Sequence, residues 1–209
     1  METDADDAAR LLQKVSPNEP ATAIGNSSGA MVAMKLVIRH PHLLRTLIPY
    51  EPPLSSVLPT PEYEHLKQVH QEIYDEYRAH GPPPALGRLA KLTAGDQSIT
   101  VGLVDFRKPY LFQNTIYWFE RELNVYSHHP FDVEGELGPL REKLLFVAGE
   151  LSPRDRYQYR ANLVMSQKLG MELVNLPGEH NGHVLNAPDF TRELRGALKR
   201  KEPEFYSWY

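Results

Sequence analysis

Apolar positions along this chain switch between helical spacing and short runs. Ala8, Ala9, Leu11, Leu12 and Val15 fall on one helical face, and Thr3 with Asp6 resembles a capping box that uses Asp for the usual Glu or Gln. Ser16-Pro17-Asn18-Glu19-Pro20 breaks that helix, and Ala21 to Ile24 reads as a short strand. From Ser28 to about Arg39 the pattern is apolar on most sides, which predicts a helix packed into the centre of a sheet and stopped by His40-Pro41. Arg45 to Tyr50 is the next strand, ending at Glu51-Pro52-Pro53. After Pro139 the alternation resumes: a strand over Lys143 to Ala148, an amphipathic helix from Pro153 to Leu169 closed by Gly170, a strand from Met171 to Leu176, and a last helix from Pro188 to Lys199. The tail, Arg200 to Tyr209, mixes charge with aromatics and reads as frayed. Strands alternating with helices predict an α/β fold whose mainly parallel sheet is covered on both faces.

The middle of the chain has another texture. Pro59-Thr60-Pro61 starts a helix carrying Tyr63, Leu66, Val69, Ile73 and Tyr77, and Gly81-Pro82-Pro83-Pro84 interrupts it. A helical stretch follows around Leu86 to Leu92, and Pro109 to Leu123 is helical and rich in aromatics. The expected division is a mostly helical cap over residues 54–138, set between core segments 1–53 and 139–209. A second helical layer with no gating role is the alternative. Many of the 18 prolines lie in this middle part, consistent with an irregular insertion.

Composition narrows the function classes. Of 209 residues 41% are hydrophobic and 24% charged, as in a soluble globular domain with a substantial core. The net charge of −4, without blocks of one sign, argues against nucleic acid or an anionic membrane as the main partner. There is no cysteine, so disulfide and thiolate chemistry are excluded. No apolar run is long enough to span a bilayer, and the acidic start, Met1 to Asp7, carries no signal peptide, so a cytoplasmic location is the default.

The chemistry concentrates in Gly25-Asn26-Ser27-Ser28-Gly29, which links the first strand to the central helix. A G-x-S-x-G between strand and helix is a nucleophile elbow, a turn so tight that small residues are needed two positions either side of the serine. Gly25 and Gly29 meet that need and leave Ser27 at the tip, while the N–H of Ser28 at the helix start faces any developing negative charge. A serine hydroxyl is a weak acid and needs a general base, which needs an orienting carboxylate. His180 is the best base, because it lies in a tight loop, Pro177-Gly178-Glu179-His180, directly after the last strand; His183 competes. For the carboxylate, Glu51 ends the strand after the elbow helix and so shares the sheet edge with Ser27; Glu150 and Asp155 are alternatives. His128-His129 with Asp132 lacks a spacing that aims two imidazoles at one ion, so no metal site is expected. Of Tyr110, Phe112, Tyr117, Trp118 and Phe119, most are expected in the cap core and one or two against an apolar pocket.

These residues together resemble the α/β-hydrolase superfamily. The resemblance rests on Gly25 to Ala30, on Tyr50-Glu51-Pro52-Pro53, on Leu145 to Glu150 and on Pro177 to His180, in that order. It implies a capped pocket, a catalytic triad and no cofactor. Many members carry the acid at the fourth position of a Gly-x-x-Asp turn, where this chain has Ser152. Some haloalkane dehalogenases place it instead after the strand that follows the elbow helix, and Glu51, 24 residues after Ser27, matches their interval. Their nucleophile is an aspartate, so Ser27 points to ester, lactone or carbon–carbon bond hydrolysis instead.

The superfamily sheet has eight strands, and four are readable here. The expectation is that the N-terminal strands and the loop supplying a second oxyanion donor are missing, through a truncated gene product, a degenerate protein, or completion by another chain such as a second copy in a homo-oligomer. The expected function is a serine hydrolase (esterase-like) that acts on a small apolar acyl substrate through Ser27, His180 and Glu51, with Ser28 as oxyanion donor and activity depending on that loop. A non-catalytic protein that binds a small ligand in the same pocket is the alternative, and a cofactor-free lyase or perhydrolase a more distant one.

Overall fold

The computed structural model of the protein describes residues 1–93 and 108–206. Helix α1 (Glu2–Val15) precedes strand β1 (Ala21–Asn26), and α2 (Ser28–Arg39) carries the chain to β2 (Leu44–Tyr50). Helices α3 (Thr60–His80), α4 (Pro82–Thr93), α5 (Pro109–Arg121) and α6 (Leu123–Ser127) stand between β2 and β3 (Phe146–Gly149). Then come α7 (Tyr157–Lys168), β4 (Leu173–Leu176), α8 (Gly182–Leu185), α9 (Ala187–Lys201) and α10 (Pro203–Tyr206). The strands form one parallel sheet in the order β1-β2-β3-β4. Parallel neighbours cannot be joined by a tight turn, which is why helical crossovers separate all four. Among the described residues no helix is long and apolar enough to cross a membrane.

Strand side chains alternate between faces, and each face has its own core. Leu44, Leu47 and Phe146 pack with Ala5 and Ala9 of α1, Met31, Met34 and Val37 of α2, and Ala161 and Met165 of α7. Ile48, Tyr50, Val147 and Leu176 pack with Phe190 and Leu198 of α9. Helix α2 buries even Lys35, whose ammonium meets Glu136 at 2.7 Å, so the desolvated charge has a partner. The helices between β2 and β3 have a separate apolar centre of Ile73, Tyr77, Ala85, Leu86, Leu89, Phe119 and Leu123, in which Tyr77 and Phe119 stack at 4.5 Å.

Several boundaries differ from the sequence reading. Thr3 and Asp6 form no capping box, because α1 starts at Glu2 and its N-cap, Met1, makes no side-chain cap. Asp6 instead faces cations, accepting from Arg39 at 2.8 and 2.9 Å and lying 2.8 Å from the His40 ring. Strand β3 begins at Phe146, since Gly138–Lys143 closes into 3-10 turns and only Leu144 bridges to Leu47 before it. Helix α7 begins at Tyr157, four residues past Pro153. The tail read as frayed forms α10, where the Arg45 guanidinium lies 3.3 Å from the centroid of the Phe205 ring. Residues 94–107 of the middle segment and 207–209 of the tail lie outside the described residues.

Candidate active site

Register brings the candidate residues to one sheet edge. Asn26 is paired with Tyr50, so Ser27 and Glu51 each stand one residue beyond matched strand ends. The Ser27 N–H donates to the Tyr50 carbonyl at 3.0 Å. Ser27 has φ 53° and ψ −125°, and Glu51 has φ 47°; they are the only non-glycine residues with positive φ among the described residues. Such conformations are costly for side chains with a Cβ and collect at functional sites.

The two elbow glycines do different work. A Cβ on Gly25 would lie 2.5 Å from the Gly29 carbonyl oxygen and 2.7 Å from the Ala30 Cα, so only glycine fits. A Cβ on Gly29 would meet nothing within 4 Å, so the steric role expected for Gly29 is absent from this structure. Behind Ser27, α2 starts with no side-chain cap; the Ala30 N–H donates to the Ser27 carbonyl at 2.9 Å, and the Ser28 N–H stands at the helix start before it.

Glu51 is 2% exposed and its two oxygens are both engaged. Oε2 lies 2.7 Å from His180 Nδ1, and Oε1 accepts from the Gly149 N–H at 2.9 Å. Burial pushes the Glu51 carboxyl up, but the His180 hydrogen bond and charge, with Ser152 and the Gly149 N–H, outweigh it and hold the group below the ordinary carboxylate value. The acceptor on Nδ1 also fixes the tautomer: Nδ1 carries the proton, and Nε2 is left with its lone pair.

The His180 loop is braced from three sides. Asn26 Nδ2 donates to the His180 carbonyl at 3.0 Å, the Leu151 N–H donates to the Gly178 carbonyl at 3.0 Å, and the Tyr50 hydroxyl donates to the Glu179 carbonyl. Gly178 has φ 95°, and a Cβ there would lie 2.7 Å from Gly182 Cα. Ser27, Ser28 and His180 line one cavity of about 260 Å³, together with Asn26, Pro53, Leu89, Trp118, Leu123, Tyr157 and Gln158. Ser27 and His180 are not hydrogen-bonded to each other; they share the cavity wall.

The other candidates are placed elsewhere. Glu150 and Asp155 are exposed and make no hydrogen bond to His180. His183 packs edge-on against Tyr50 at 5.9 Å and does not line the Ser27 cavity. His128 pairs with His70 at 3.1 Å and with Ser55 at 2.9 Å. Among the described residues no group of three or more His, Asp or Glu side chains could hold a metal ion. Of the aromatics of α5, Phe119 is core, Trp118 lines the Ser27 cavity and donates to Ser28 Oγ at 3.3 Å, and Tyr117 lines a neighbouring cleft. Ser152 beside Glu51, Asn26 as loop brace, and Ser127, Tyr157 and Gln158 in the cavity wall were not singled out as site-supporting residues from the sequence. Asn26 carried a local signal in its place inside the elbow, and Ser152 in its place at the fourth position of the turn that starts at Gly149.

No protein-family model matches the sequence. The chain is 28% identical over 207 residues to the uncharacterized hydrolase YraK of Bacillus subtilis strain 168, a match over 97% of this chain and 72% of the relative. Among solved structures, a carboxylesterase study of the ammonia-oxidizing thaumarchaeon Nitrososphaera gargenis gives a TM-score of 0.66 at 19% identity, over 98% of this chain and 74% of that one. Est816, described as an N-acyl homoserine lactone degrading enzyme, gives 0.65 at 19% identity, over 93% and 73%. At that identity the structures speak to the fold. Parallel strands in sequential order, an elbow at the end of β1 and these similarities together make the fold of this chain that of the α/β-hydrolase superfamily.

Proposed function

We propose that the protein is a serine hydrolase acting on esters, lactones or related acyl substrates. Ser27 Oγ attacks the carbonyl carbon while His180 Nε2 takes its proton, and the same proton then goes to the departing oxygen. Water repeats the sequence on the acyl-enzyme and releases the acid. Glu51 keeps the ring in the Nδ1–H tautomer and stabilises the imidazolium that forms in each half-reaction. The Ser28 N–H faces the oxyanion, and helices α3 to α6 serve as a cap over the cavity. No cofactor takes part.

The observation that carries this reading is the buried Glu51–His180 pair, 2.7 Å apart, beside a serine at positive φ. A Ser27–His180 hydrogen bond is expected to form once substrate is bound, since catalytic hydrogen bonds often close only in the complex. The names of the relatives favour ester or lactone cleavage over carbon–carbon bond cleavage. A fluorophosphonate probe tests the proposal. Covalent labelling that maps to Ser27 and is lost in Ser27→Ala supports it. A folded protein that stays unlabelled and leaves p-nitrophenyl butyrate intact overturns it in favour of a ligand-binding role for the same pocket.

A further inference from the structure

We propose that Gln158 reads a hydrogen-bonding group on the acyl part of the substrate, so that the pocket prefers a short acyl chain carrying a hydroxyl or amide N–H to a plain alkyl chain. The inference deepens the hydrolase reading above and rests on it.

Gln158 is the second residue of α7 and lines the cavity that holds Ser27 and His180. Gln158 is 2% exposed, and its Oε1 is fully buried without a partner among the described residues. Buried amides are normally satisfied, and one that is not needs a reason. Asn162, one turn further along α7, shows what a structural amide looks like here: its Nδ2 donates to the Pro49 carbonyl at 3.1 Å and to the Val147 carbonyl at 2.6 Å, tying two strand ends together. His70 Nε2 and Asn162 Oδ1 are also buried without partners among the described residues, but their residues do not line this cavity. Gln158 therefore keeps an unpartnered acceptor in the cavity wall, covered in the free protein and brought to a ligand by a turn of the amide. Near it, Ser127 and Tyr157 also line the wall, while Leu89, Leu123 and Trp118 give the cavity its apolar lining. The volume of about 260 Å³ is below the usual range for drug-sized ligands, so an acyl group seated in this cavity is short, and the adjoining cleft, which Ser27 and Ser28 also line, is left for the other part of the ester. A hydroxyl or amide N–H on that group would satisfy Oε1, and a plain alkyl chain would leave it stranded.

The test compares p-nitrophenyl 3-hydroxybutyrate with p-nitrophenyl butyrate. A site built to hydrogen-bond its substrate discriminates strongly against an analogue lacking the group, so wild type is expected to favour the hydroxy ester by about 10-fold or more in kcat/KM. In Gln158→Leu and Gln158→Met that ratio should collapse towards 1. Because Oε1 has no partner among the described residues of the free protein, both variants should melt no lower than wild type. A wild-type ratio near 1, an unchanged ratio in the variants, or a lowered melting temperature in both overturns the proposal. Calorimetric titration of Ser27→Ala with methyl 3-hydroxybutyrate and methyl butyrate separates the two readings. If Ser27 proves unreactive but the hydroxy ester still binds selectively through Gln158, the hydrolase reading fails and this one stands; equal binding of the two esters sinks it whatever Ser27 does.

Discussion

At the scale of single residues, strain and charge converge on Ser27 and Glu51. A non-glycine residue held at positive φ costs on the order of 1–3 kcal/mol, a cost the surrounding structure must offset. Glu51 does so with two buried hydrogen bonds. Glu51→Gln keeps the shape and can still accept from the Gly149 N–H, but it cannot stabilise an imidazolium, so kcat for ester hydrolysis should fall by roughly 10³–10⁴-fold. The carboxylate's folded pKa lies below its unfolded value, so its contribution to stability is present above about pH 4.3 and is lost as pH falls through the folded value. Urea unfolding of wild type and Glu51→Gln should therefore differ at pH 7, and the difference should shrink as pH falls below about 4.3; a difference that does not change with pH would refute the linkage. The position of Glu51 was legible because a strand end fixes it relative to Ser27. Gln158 and Ser152 were not, because their partners are set by packing between segments far apart in sequence.

At the scale of elements, the elbow is the best-specified turn in the chain. Gly25→Ala drives a methyl group into the backbone of α2, which cannot move without disturbing the sheet, and should destabilise the protein by about 1–3 kcal/mol. Gly29→Ala faces open space in the first turn of α2 and replaces the poorer helix former, so it should be neutral or stabilise by up to about 1 kcal/mol. Thermal melting of the pair checks this, and equal losses in both would contradict it. The G-x-S-x-G pattern showed where the turn lies without showing which glycine the packing needs. Strands were read correctly in kind because apolar runs bounded by Pro and Gly are a local signal. Their ends were not, because pairing decides them: Lys143 lies in a 3-10 turn and only the segment from Phe146 finds β4 as a neighbour.

At the scale of the whole molecule, a buried polar chain links the edge of the core to the inserted helices. The Ser55 hydroxyl donates to the Ser127 carbonyl, so its oxygen accepts from His128 Nδ1–H. His128 Nε2 is then the acceptor for His70 Nδ1–H, and His70 Nε2 remains unpartnered. Both rings are neutral donors and acceptors in this chain, and among the described residues no carboxylate hydrogen-bonds to either; His70 also meets Tyr157, while Lys67 lowers His128 and Glu64 raises it. Burial, with the charge of His128 added, brings His70 down to about 3, and burial with Lys67 brings His128 down to about 4. In the unfolded chain both protonate near pH 6.5, so folding stability should decline as pH drops below that value. Each ring should cost about 2 kcal/mol between pH 7 and pH 5, about 4 kcal/mol for the two, and His70→Phe should roughly halve that slope in urea titrations; an unchanged slope would contradict the assignment.

The placement of Glu51 just past the end of β2 also fixes an order of assembly. Ser27 and Glu51 belong to one β–α–β unit, whereas His180 and Glu51 are 129 positions apart and meet only when β4 and its loop have docked. Long-range closures of that kind come late and slowly in folding. In a refolding experiment, helical circular dichroism should therefore return ahead of Ser27 reactivity, and the lag between them times the arrival of a single histidine.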